Sequence, residues 1–418
     1  MADVLYYNGD GAPNLVAPKH TDPGLGAGYD YDVCNAEVLL TRLAVKDGRL
    51  VLPDGMNYRL LVLPETDRMP VEVIAKLKEL VAAGATAVGP KPRQDPGLRN
   101  YPECDREVQR LAQEIWGDCD GRNVKAHAFG KGRMIWGIAP RELLREQGTS
   151  ADFEYSGGNG TFLDFIHRTT DDGEFYFVAN RENRSVSLEC TFRVNDREPE
   201  IWDPVTAQIL SSKAFRTEKG RTVVAMDFAS HQSFFVVFPA NKKMTNVPKR
   251  TAIVSALSPQ QELSGAWTVK FDPKWGGPSE VEFASLQDWT KRSEDGIRYY
   301  SGTATYVKHF DLARGSDGRL FLDLGVVKDI ADVRLNGKSL GIVWTAPWKI
   351  EVTDVIKPTG NILEIEVVNL WPNRLIGDTA LPKERRRTWT NIPTDPKAPL
   401  LPSGLLGPVV LQRTNASP

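Results

Sequence analysis

The feature that most constrains the fold is a change in pattern about 150 residues into the chain. Before it, short apolar segments such as 4–7 and 60–65 alternate with amphipathic segments, and residues 71–83 carry apolar side chains at helical spacing. Gly84 follows that segment, where a glycine commonly ends a helix. Strands that alternate with helices predict a parallel sheet with helices packed on its faces.

A second predicted helix at 103–116 and apolar strands near 124–129 and 134–137 extend the same pattern. The alternation therefore predicts a flavodoxin-like three-layer α/β domain over residues 1–150.

Beyond residue 150 the pattern changes to strands separated by polar turns. The short strands of residues 151–240 predict a small β-sandwich domain. Residues 241–262 are rich in Lys, Pro, Ser and Gln, which is typical of a linker. In residues 263–414 apolar and polar residues alternate again, and Asn336-Gly337 predicts a hairpin. We expect that last region to be a β-sandwich of the galactose-binding-like jelly-roll type.

Composition argues against charged partners and against a membrane. The formal net charge is -2 with 25% charged residues, which offers no electrostatic attraction to nucleic acid or anionic lipid. No apolar run approaches the roughly 20 residues that a membrane helix needs, and no signal peptide begins the chain. The compartment is not determined; because a strand pattern starts so close to Met1, we expect upstream sequence in a secreted or periplasmic parent protein.

Several motifs carry a resemblance to known sugar-cleaving enzymes. The first set comprises Leu263-Ser264-Gly265-Ala266-Trp267, Tyr299-Tyr300-Ser301-Gly302, Leu335-Asn336-Gly337, Pro347-Trp348 and Gly360-Asn361. This set resembles the sugar-binding jelly roll of glycoside hydrolase family 2. The second set comprises residues 369–378, Thr388-Trp389-Thr390-Asn391 and 403–408, and it is similar to the α-L-rhamnosidases of glycoside hydrolase family 106.

The resemblance also covers residues 3–7 and 28–35, which look like a domain that follows the catalytic barrel in family 106. It implies that this chain corresponds to the C-terminal portion of such an enzyme. The (β/α)8 barrel with the catalytic carboxylates has no counterpart here. Hydrolysis of plant or bacterial glycosides by this chain alone is therefore left open.

Candidate catalytic residues are few. Glycoside hydrolysis usually needs two carboxyl groups roughly 5 to 10 Å apart, one of them kept protonated. Asp30, Asp32 and Asp378 are weak candidates, and no spacing in the sequence fixes such a pair. The five histidines show no metal-ligand spacing, so we expect no metal and no organic cofactor, although a structural calcium held by carboxylates and carbonyls remains open.

Candidate sugar-contacting residues fall into two groups. Tyr29 and Asn35 are predicted to lie at the carboxyl end of the first strand, where open α/β sheets tend to bind ligands; the alternative is a solvated loop that caps a helix starting near Val33. The second group combines indoles, which can stack on a pyranose, with polar side chains for its hydroxyls: Trp344, Trp348, Asn369, Trp371, Asn373, Arg374 and Trp389. Burial of the tryptophans, and an internal salt bridge between Arg374 and Asp378, are the structural alternatives.

Three functions remain open at this point. We expect a carbohydrate-binding accessory part of an α-L-rhamnosidase-like enzyme, whose partners are a carbohydrate or glycoside and a missing catalytic barrel. One alternative is a self-contained hydrolase with a carboxylate pair at a domain interface. The other is a scaffold that packs on a separate barrel and contacts no sugar.

Overall fold

A computed structural model describes residues 1–11, 25–158, 160–211, 215–242, 257–313 and 318–414. Most of the described elements are strands of several sheets, with few helices, which confirms a fold that combines an α/β part with all-β parts. The chain divides into two compact units. The first comprises residues 1–179, 187–227 and 233–251, and the second comprises 180–186, 228–232 and 252–418.

The elements up to residue 239 are as follows. The strands are Val4–Tyr7 (β1), Tyr31–Cys34 (β2), Ala44–Lys46 (β3), Arg49–Val51 (β4), Asn57–Tyr58 (β5), Leu60–Val62 (β6), Thr86–Val88 (β7), Ala126–Phe129 (β8), Gly132–Ile135 (β9), Phe153–Ser156 (β10), Leu163–Thr170 (β11), Gly173–Asn180 (β12), Val186–Phe192 (β13), Glu200–Trp202 (β14), Ile209–Ser211 (β15), Phe215–Glu218 (β16), Arg221–Phe228 (β17) and Ser233–Pro239 (β18). The helices are Ala36–Thr41 (α1), Val71–Ala83 (α2), Glu103–Trp116 (α3) and Pro140–Glu146 (α4).

The α/β part of the first unit is built on a six-stranded sheet of order β2-β1-β6-β7-β9-β8. Its first five strands in that order are parallel, and β8 runs antiparallel at the edge. Numbered along the chain, the parallel strands have the order 2-1-3-4-5. Helices α1, α2 and α3 pack on one face, where Ile74 and Leu77 of α2 meet Leu5 and Leu61, and α4 packs on the other. The α/β part therefore has three layers, with the sheet between two layers of helices.

Two further sheets of the first unit face each other, with the orders β10-β13-β17-β16 and β11-β12-β18-β14-β15. Aromatic rings fill the space between them. The Phe192 ring lies 4.9 Å from that of Tyr176 and 5.5 Å from that of Phe238, both of which belong to the opposite sheet. Because this region and the α/β sheet belong to one compact unit, the boundary predicted at residue 150 separates two parts of that unit.

The predicted linker is wrong at its C-terminal end. Residues 243–256 of the predicted 241–262 lie outside the described part, but Leu257–Glu262 is a strand. It pairs antiparallel with residues 410–414 at the edge of a sheet. An edge strand tolerates the Pro259 and polar side chains that made this stretch look like a linker, because one side of its backbone needs no partner strand.

The second unit contains the following elements. The strands are Leu257–Glu262 (β19), Trp267–Phe271 (β20), Val281–Phe283 (β21), Thr303–Phe310 (β22), Leu320–Asp323 (β23), Val326–Lys328 (β24), Ile330–Leu335 (β25), Lys338–Val343 (β26), Lys349–Glu351 (β27), Asn361–Val368 (β28), Gly404–Gly407 (β29) and Val410–Thr414 (β30). The helices are Asp295–Arg298 (α5) and Pro372–Thr379 (α6), with 3-10 turns at Pro273–Trp275, Trp289–Lys291 and Lys383–Arg385.

Two main sheets form this unit, with the orders β19-β30-β23-β27 and β21-β20-β22-β28-β25-β26. Their inward residues make one core that includes Trp267, Leu322, Ile365 and Leu411. The predicted hairpin is confirmed between β25 and β26. Asn336 and Gly337 both have positive φ, at 56° and 78°, which is the conformation that favours this dipeptide in a two-residue turn.

Candidate functional site

Three segments of the second unit converge around Trp275. The rings of Trp275 and Trp371 meet edge to face, with centroids 5.7 Å apart. Arg374 donates from Nη1 to the Trp275 carbonyl at 3.4 Å, and Arg387 donates from Nη1 to the Lys274 carbonyl at 2.8 Å. The loop at 272–277, helix α6 and the segment that follows it are therefore held together.

Two tryptophans of this region are open to solvent. Trp371 is 55% exposed and Trp389 is 89% exposed, whereas Trp275 is half-buried. We call Trp275, Trp371 and Trp389 the aromatic surface. Trp275 and Trp371 are in contact, and Trp389 is linked to helix α6 through the bonds of Thr388 to Asp378. Exposed apolar groups often mark binding sites, so this surface is the strongest candidate site of the second unit.

Local sequence fixes Trp275 in its loop. The Asp272 side chain accepts a hydrogen bond from the Lys274 N–H at 2.9 Å and so begins the 3-10 turn. Gly276 ends it with φ at 93°, and a Cβ there would lie 2.8 Å from the Arg387 Nε. Only glycine suits this position, because it must adopt a left-handed conformation beneath an arginine side chain.

A polar cradle of Asn369, Asn373 and Ser403 supports the start of α6. Both amide nitrogens donate to the Ser403 Oγ at 3.0 Å. Asn369 also donates to the Tyr300 carbonyl at 2.9 Å, and Asn373 binds both the carbonyl and the N–H of Leu401, at 2.7 and 2.8 Å. Both amides are buried, and a hydrogen bond from their NH2 groups to a sugar would require one of these bonds to break. Their geometry favours a role in positioning Trp371.

Asp378 connects α6 to the segment that carries Trp389. Its Oδ2 accepts hydrogen bonds from the Arg387 N–H at 2.9 Å and from the Thr388 N–H and Oγ1, both at 2.7 Å. Its Oδ1 lies 3.2 Å from the Arg374 Nε, and both side chains are buried. Burial lowers the pKa of the Arg374 guanidinium, and the Asp378 carboxylate opposes that shift. The salt bridge between Arg374 and Asp378, one of the alternatives raised by the sequence, is present. A buried carboxylate that is surrounded by so many donors favours a positioning role over acid catalysis.

The other two predicted tryptophans lie elsewhere in this unit. Trp344 follows β26 and is 58% exposed. Trp348 is half-buried and packs against the core, and its carbonyl accepts a hydrogen bond from the Leu324 N–H at 2.8 Å. Trp348 therefore serves packing, whereas Trp344 remains available to a ligand.

Of the first group of candidates, Tyr29 is not where the sequence predicted it, whereas Asn35 is at the predicted edge of the sheet. Strand β2 runs parallel to β1, with Tyr31 opposite Val4, so Tyr29 and Asp30 lie at the amino edge of the sheet. The prediction that Tyr29 lies at the carboxyl end of β1 is wrong. Residues 29 and 30 lead into β2, and β2 starts beside the first residue of β1 because the two strands are parallel. Tyr29 is buried and donates from its hydroxyl to the Thr149 carbonyl at 2.9 Å.

The remaining candidates of this group make local contacts. The Asp32 carboxylate accepts a hydrogen bond from the Tyr58 hydroxyl at 2.9 Å, while the Asp30 carboxylate accepts one from the N–H of the next residue at 2.9 Å. Asn35 caps α1 by accepting from the Val38 N–H at 3.0 Å. The helix predicted near Val33 thus begins at residue 36, and only Asn35 reaches the carboxyl edge.

A buried histidine between two carboxylates in the first unit was not among the predicted site residues. His167 is 3% exposed; its Nδ1 lies 2.8 Å from the Asp152 Oδ2, and its Nε2 lies 3.0 Å from the Glu174 Oε2. Tyr176 stacks its ring on the imidazole, with the ring centroids 3.8 Å apart. Its hydroxyl donates a hydrogen bond to the Asp152 Oδ1 at 2.9 Å. Burial alone would lower the pKa of His167, but hydrogen bonds to Asp152 and Glu174 raise it, so the imidazolium is favoured.

The cluster continues to the amino edge of the α/β sheet. Arg193 lies with its Nε 3.4 Å from the Asp152 Oδ1 and donates to both oxygens of Asp3, at 3.2 and 3.0 Å. Arg59 stands 3.5 Å from the same Asp3. We call Arg59, Asp3, Arg193, Asp152, His167 and Glu174 the charge chain. Positive and negative groups alternate along it, and it joins the α/β part of the first unit to the sandwich part.

Two sequence signals could have found the residues that were missed. His167 occupies an inward position on β11, in step with the buried Leu163 and Phe165. A polar residue at an inward position needs a buried partner, and this one has two. Trp275 lies between Asp272-Pro273 and Gly276-Gly277, in a turn sequence that can present a large side chain.

The described residues contain neither a metal-ligand cluster nor a membrane-spanning helix. Across them, no group of three His, Cys, Asp or Glu side chains could hold a metal ion. No helix within the same ranges is long and apolar enough to cross a membrane.

Comparison with known sequences identifies the family. The sequence model of glycoside hydrolase family 106, described as alpha-L-rhamnosidase, matches residues 1–215, more than half of the chain. The chain belongs to glycoside hydrolase family 106. The matched stretch covers the α/β sheet and much of the sandwich, whereas the motifs near residues 369–408 lie outside it.

Two similar proteins match nearly the whole of this family 106 chain. A rhamnosidase structure from Novosphingobium sp. PP1Y is 33% identical, with a TM-score of 0.70, and the match covers 98% of this chain and 39% of that one. A protein of Formosa agariphila named putative beta-glucuronidase is 23% identical over 98% of this chain and 55% of its own length. The chain therefore spans about half, or less, of the length of these relatives.

Proposed function

We propose that this chain is the saccharide-recognition part of an α-L-rhamnosidase-like glycoside hydrolase. The observation that carries the proposal is the aromatic surface, where Trp371 and Trp389 expose their rings while buried polar contacts fix the backbone beneath them. An exposed indole face stacks well on the C–H face of a pyranose. Membership of family 106 supports a glycoside as the ligand.

Three structural parts and a missing partner complete the proposal. The strand order 2-1-3-4-5 supports a flavodoxin-like assignment for residues 1–150. Two facing sheets support a small β-sandwich over 151–240, and the sheets of 263–414 support a galactose-binding-like jelly roll of the family 2 type. Because the chain covers only 39% of the Novosphingobium rhamnosidase, a catalytic barrel is the proposed partner.

Recognition at this surface divides into two tasks. The cradle and Asp378 hold Trp371 and Trp389 before any ligand arrives, so little conformational entropy is lost when a sugar stacks on them. Hydroxyl groups of the sugar would then be bound by exposed polar groups at the rim, since Asn369 and Asn373 are committed within the protein.

A binding titration tests the proposal. The full chain is titrated with L-rhamnose, methyl α-L-rhamnoside and a panel of other methyl glycosides, with tryptophan fluorescence and calorimetry as readouts. Trp371→Ala and Trp389→Ala should each weaken binding about fivefold, since stacking is worth roughly 1 kcal/mol. Tyr101→Ala is the control, since it removes an exposed aromatic side chain that belongs to none of the candidate sites. No binding of any saccharide by the wild-type chain would overturn the proposal and favour a structural scaffold.

A hydrolysis assay separates recognition from catalysis. Aryl glycosides, including the α-L-rhamnoside, are incubated with the chain and with Asp30→Ala, Asp32→Ala and Asp378→Ala variants. We expect no turnover by any of them. Turnover by the wild-type chain that disappears in one variant would contradict an accessory role and would establish a self-contained hydrolase.

A further inference from the structure

The segment after α6 is strongly basic. Lys383, Arg385, Arg386 and Arg387 lie within five residues with a single acid, Glu384, and all five are exposed. We call residues 383–387 the basic segment. It begins in the 3-10 turn at Lys383–Arg385 and leads directly to Thr388 and Trp389 of the aromatic surface.

Two arginines of the basic segment hold its backbone in place. Arg386 donates from Nε to the Leu381 carbonyl at 3.0 Å, and Arg387 donates from Nη1 to the Lys274 carbonyl at 2.8 Å. Lys274 precedes Trp275, so the basic segment lies against the aromatic surface. Each guanidinium has five N–H donors, and most of those on Arg386 and Arg387 are not used by these bonds.

Some exposed arginines of the protein have a carboxylate partner, and those of the basic segment have none in the described part of the chain. Arg110 pairs with Glu107 at 2.6 Å, Arg216 pairs with Glu189 at 2.6 Å, and Arg319 pairs with Glu351. Among the described residues, no carboxylate forms an ion pair with any of the four cations of the basic segment. Four cations with no described carboxylate partner therefore lie in the segment that leads to Trp389 and contacts the loop of Trp275.

We infer that the aromatic surface binds an anionic saccharide, a sugar that carries a carboxylate or a sulfate group, with the basic segment as the anion's partner. This inference rests on the proposed function and adds the substrate class to it. The indoles take the pyranose ring, and Lys383 and Arg385 take the acidic group. Guanidinium groups bind carboxylate and sulfate oxygens through paired, charge-assisted hydrogen bonds that a neutral hydroxyl cannot match.

Matched pairs of ligands test the substrate class. The full chain is titrated at low salt with methyl β-D-glucuronide against methyl β-D-glucoside, and with D-glucose 6-sulfate against D-glucose. We expect the acidic member of at least one pair to bind at least tenfold tighter, with an advantage that falls as salt is added. The pair with the larger advantage tells whether the acidic group is a carboxylate or a sulfate.

Charge-removal variants locate the effect. A Lys383→Ala, Arg385→Ala double variant should lose most of the acidic preference and leave binding of the neutral sugars unchanged. The control is a Lys291→Ala, Lys338→Ala double variant, which removes two exposed cations of the same unit outside the basic segment. Thermal unfolding of both variants shows whether either is misfolded; if the first is, single Lys383→Gln and Arg385→Gln variants take its place.

The outcomes separate the two proposals. Equal binding of acidic and neutral sugars would overturn the substrate class and leave saccharide recognition standing. Failure of every sugar to bind would overturn the proposed function as well. If a DNA oligonucleotide competes with the acidic sugar as effectively as the free sugar itself does, the segment is a general polyanion surface and the inference is wrong.

Discussion

Two charged regions, one in each compact unit, use charge in opposite ways. In the first unit, the charge chain from Arg59 to Glu174 is largely withdrawn from solvent, and each group faces an opposite charge within 4 Å. In the second unit, the basic segment is exposed, and its described residues form no ion pair. The comparison teaches that a charged side chain whose partners are all internal serves the fold, whereas one with free donors beside an aromatic surface is available to a ligand.

Solvation explains the difference. A buried ion loses several kcal/mol of hydration, so it persists only where the protein replaces water with well-placed partners. An exposed ion keeps its water and costs little, and it can exchange that water for a ligand's anion. Replacing one internal partner should therefore damage folding, while replacing an exposed cation should change only binding.

Asp152→Ala should have the largest effect on the first unit. It leaves Arg193 and the His167 imidazolium without a shared carboxylate in a buried position, which costs roughly 3 to 5 kcal/mol in the free energy of unfolding. Urea denaturation followed by circular dichroism measures this change. Asp171→Ala, an exposed turn residue between the strands that carry His167 and Glu174, is the control. A loss below about 1 kcal/mol would show that the charge chain contributes little to stability.

Asn373→Ala should have the next largest effect and extends the comparison to the second unit. The change removes the amide from the polar cradle and leaves the Leu401 N–H without its partner, while the Leu401 carbonyl keeps only the Ser403 hydroxyl, at a cost of about 2 kcal/mol. Saccharide binding should weaken in parallel, because Trp371 loses its support. Asn391→Ala, in the exposed segment beyond Trp389, serves as the control. Unchanged stability would mean that water replaces the amide.

The pH dependence of stability follows from His167. The pKa of His167 in the folded protein is raised above the ordinary 6.5. Its contribution to the free energy of unfolding is therefore fully present below pH 6.5 and is lost as the pH rises through the folded pKa. Burial would raise the pKa of Asp152, but the hydrogen bond from His167 lowers it, so that contribution is lost only in acid. The free energy of unfolding should decline above pH 6.5 with a slope of at most about 1.4 kcal/mol per pH unit for one proton. His167→Gln should make this decline shallower. Denaturation midpoints from about pH 6 to 9 measure it, and an unchanged slope would show that another group titrates.

Secondary structure was predicted best where a long periodic pattern acts locally. The helices predicted at 71–83 and 103–116 have those bounds in the structure, because each presents an apolar face to the same sheet. The position of Tyr29 and Asp30 was predicted wrongly, because the pairing of β2 with β1 depends on contacts across the sheet rather than on neighbours in sequence.

The candidate site was predictable only in part. The pattern around Trp371 and Trp389 indicated sugar-binding residues, and the structure exposes both. It could not indicate that Asn369 and Asn373 would use their amides on Ser403, which is 34 and 30 residues away in sequence. Long-range hydrogen bonds of this kind leave no spacing signal, which is also why the partners of His167 were missed.

Asp378→Asn should have the smallest effect and tests how firmly the exposed surface is held. The amide keeps an acceptor for the N–H groups of Arg387 and Thr388 but loses the charge that faces Arg374. Because an amide oxygen can still face the Arg374 guanidinium, the loss of stability should stay below that of Asp152→Ala. Saccharide affinity should fall about threefold, since hydrogen bonds to a charged acceptor are about twice as strong as neutral ones. Fluorine NMR of protein labelled with 5-fluorotryptophan, in which the Trp389 signal is assigned by its loss in Trp389→Phe, would report faster ring motion. An affinity and a Trp389 line width that match the wild type would show that the cradle alone positions the aromatic surface and that the Asp378 charge serves only to satisfy Arg374.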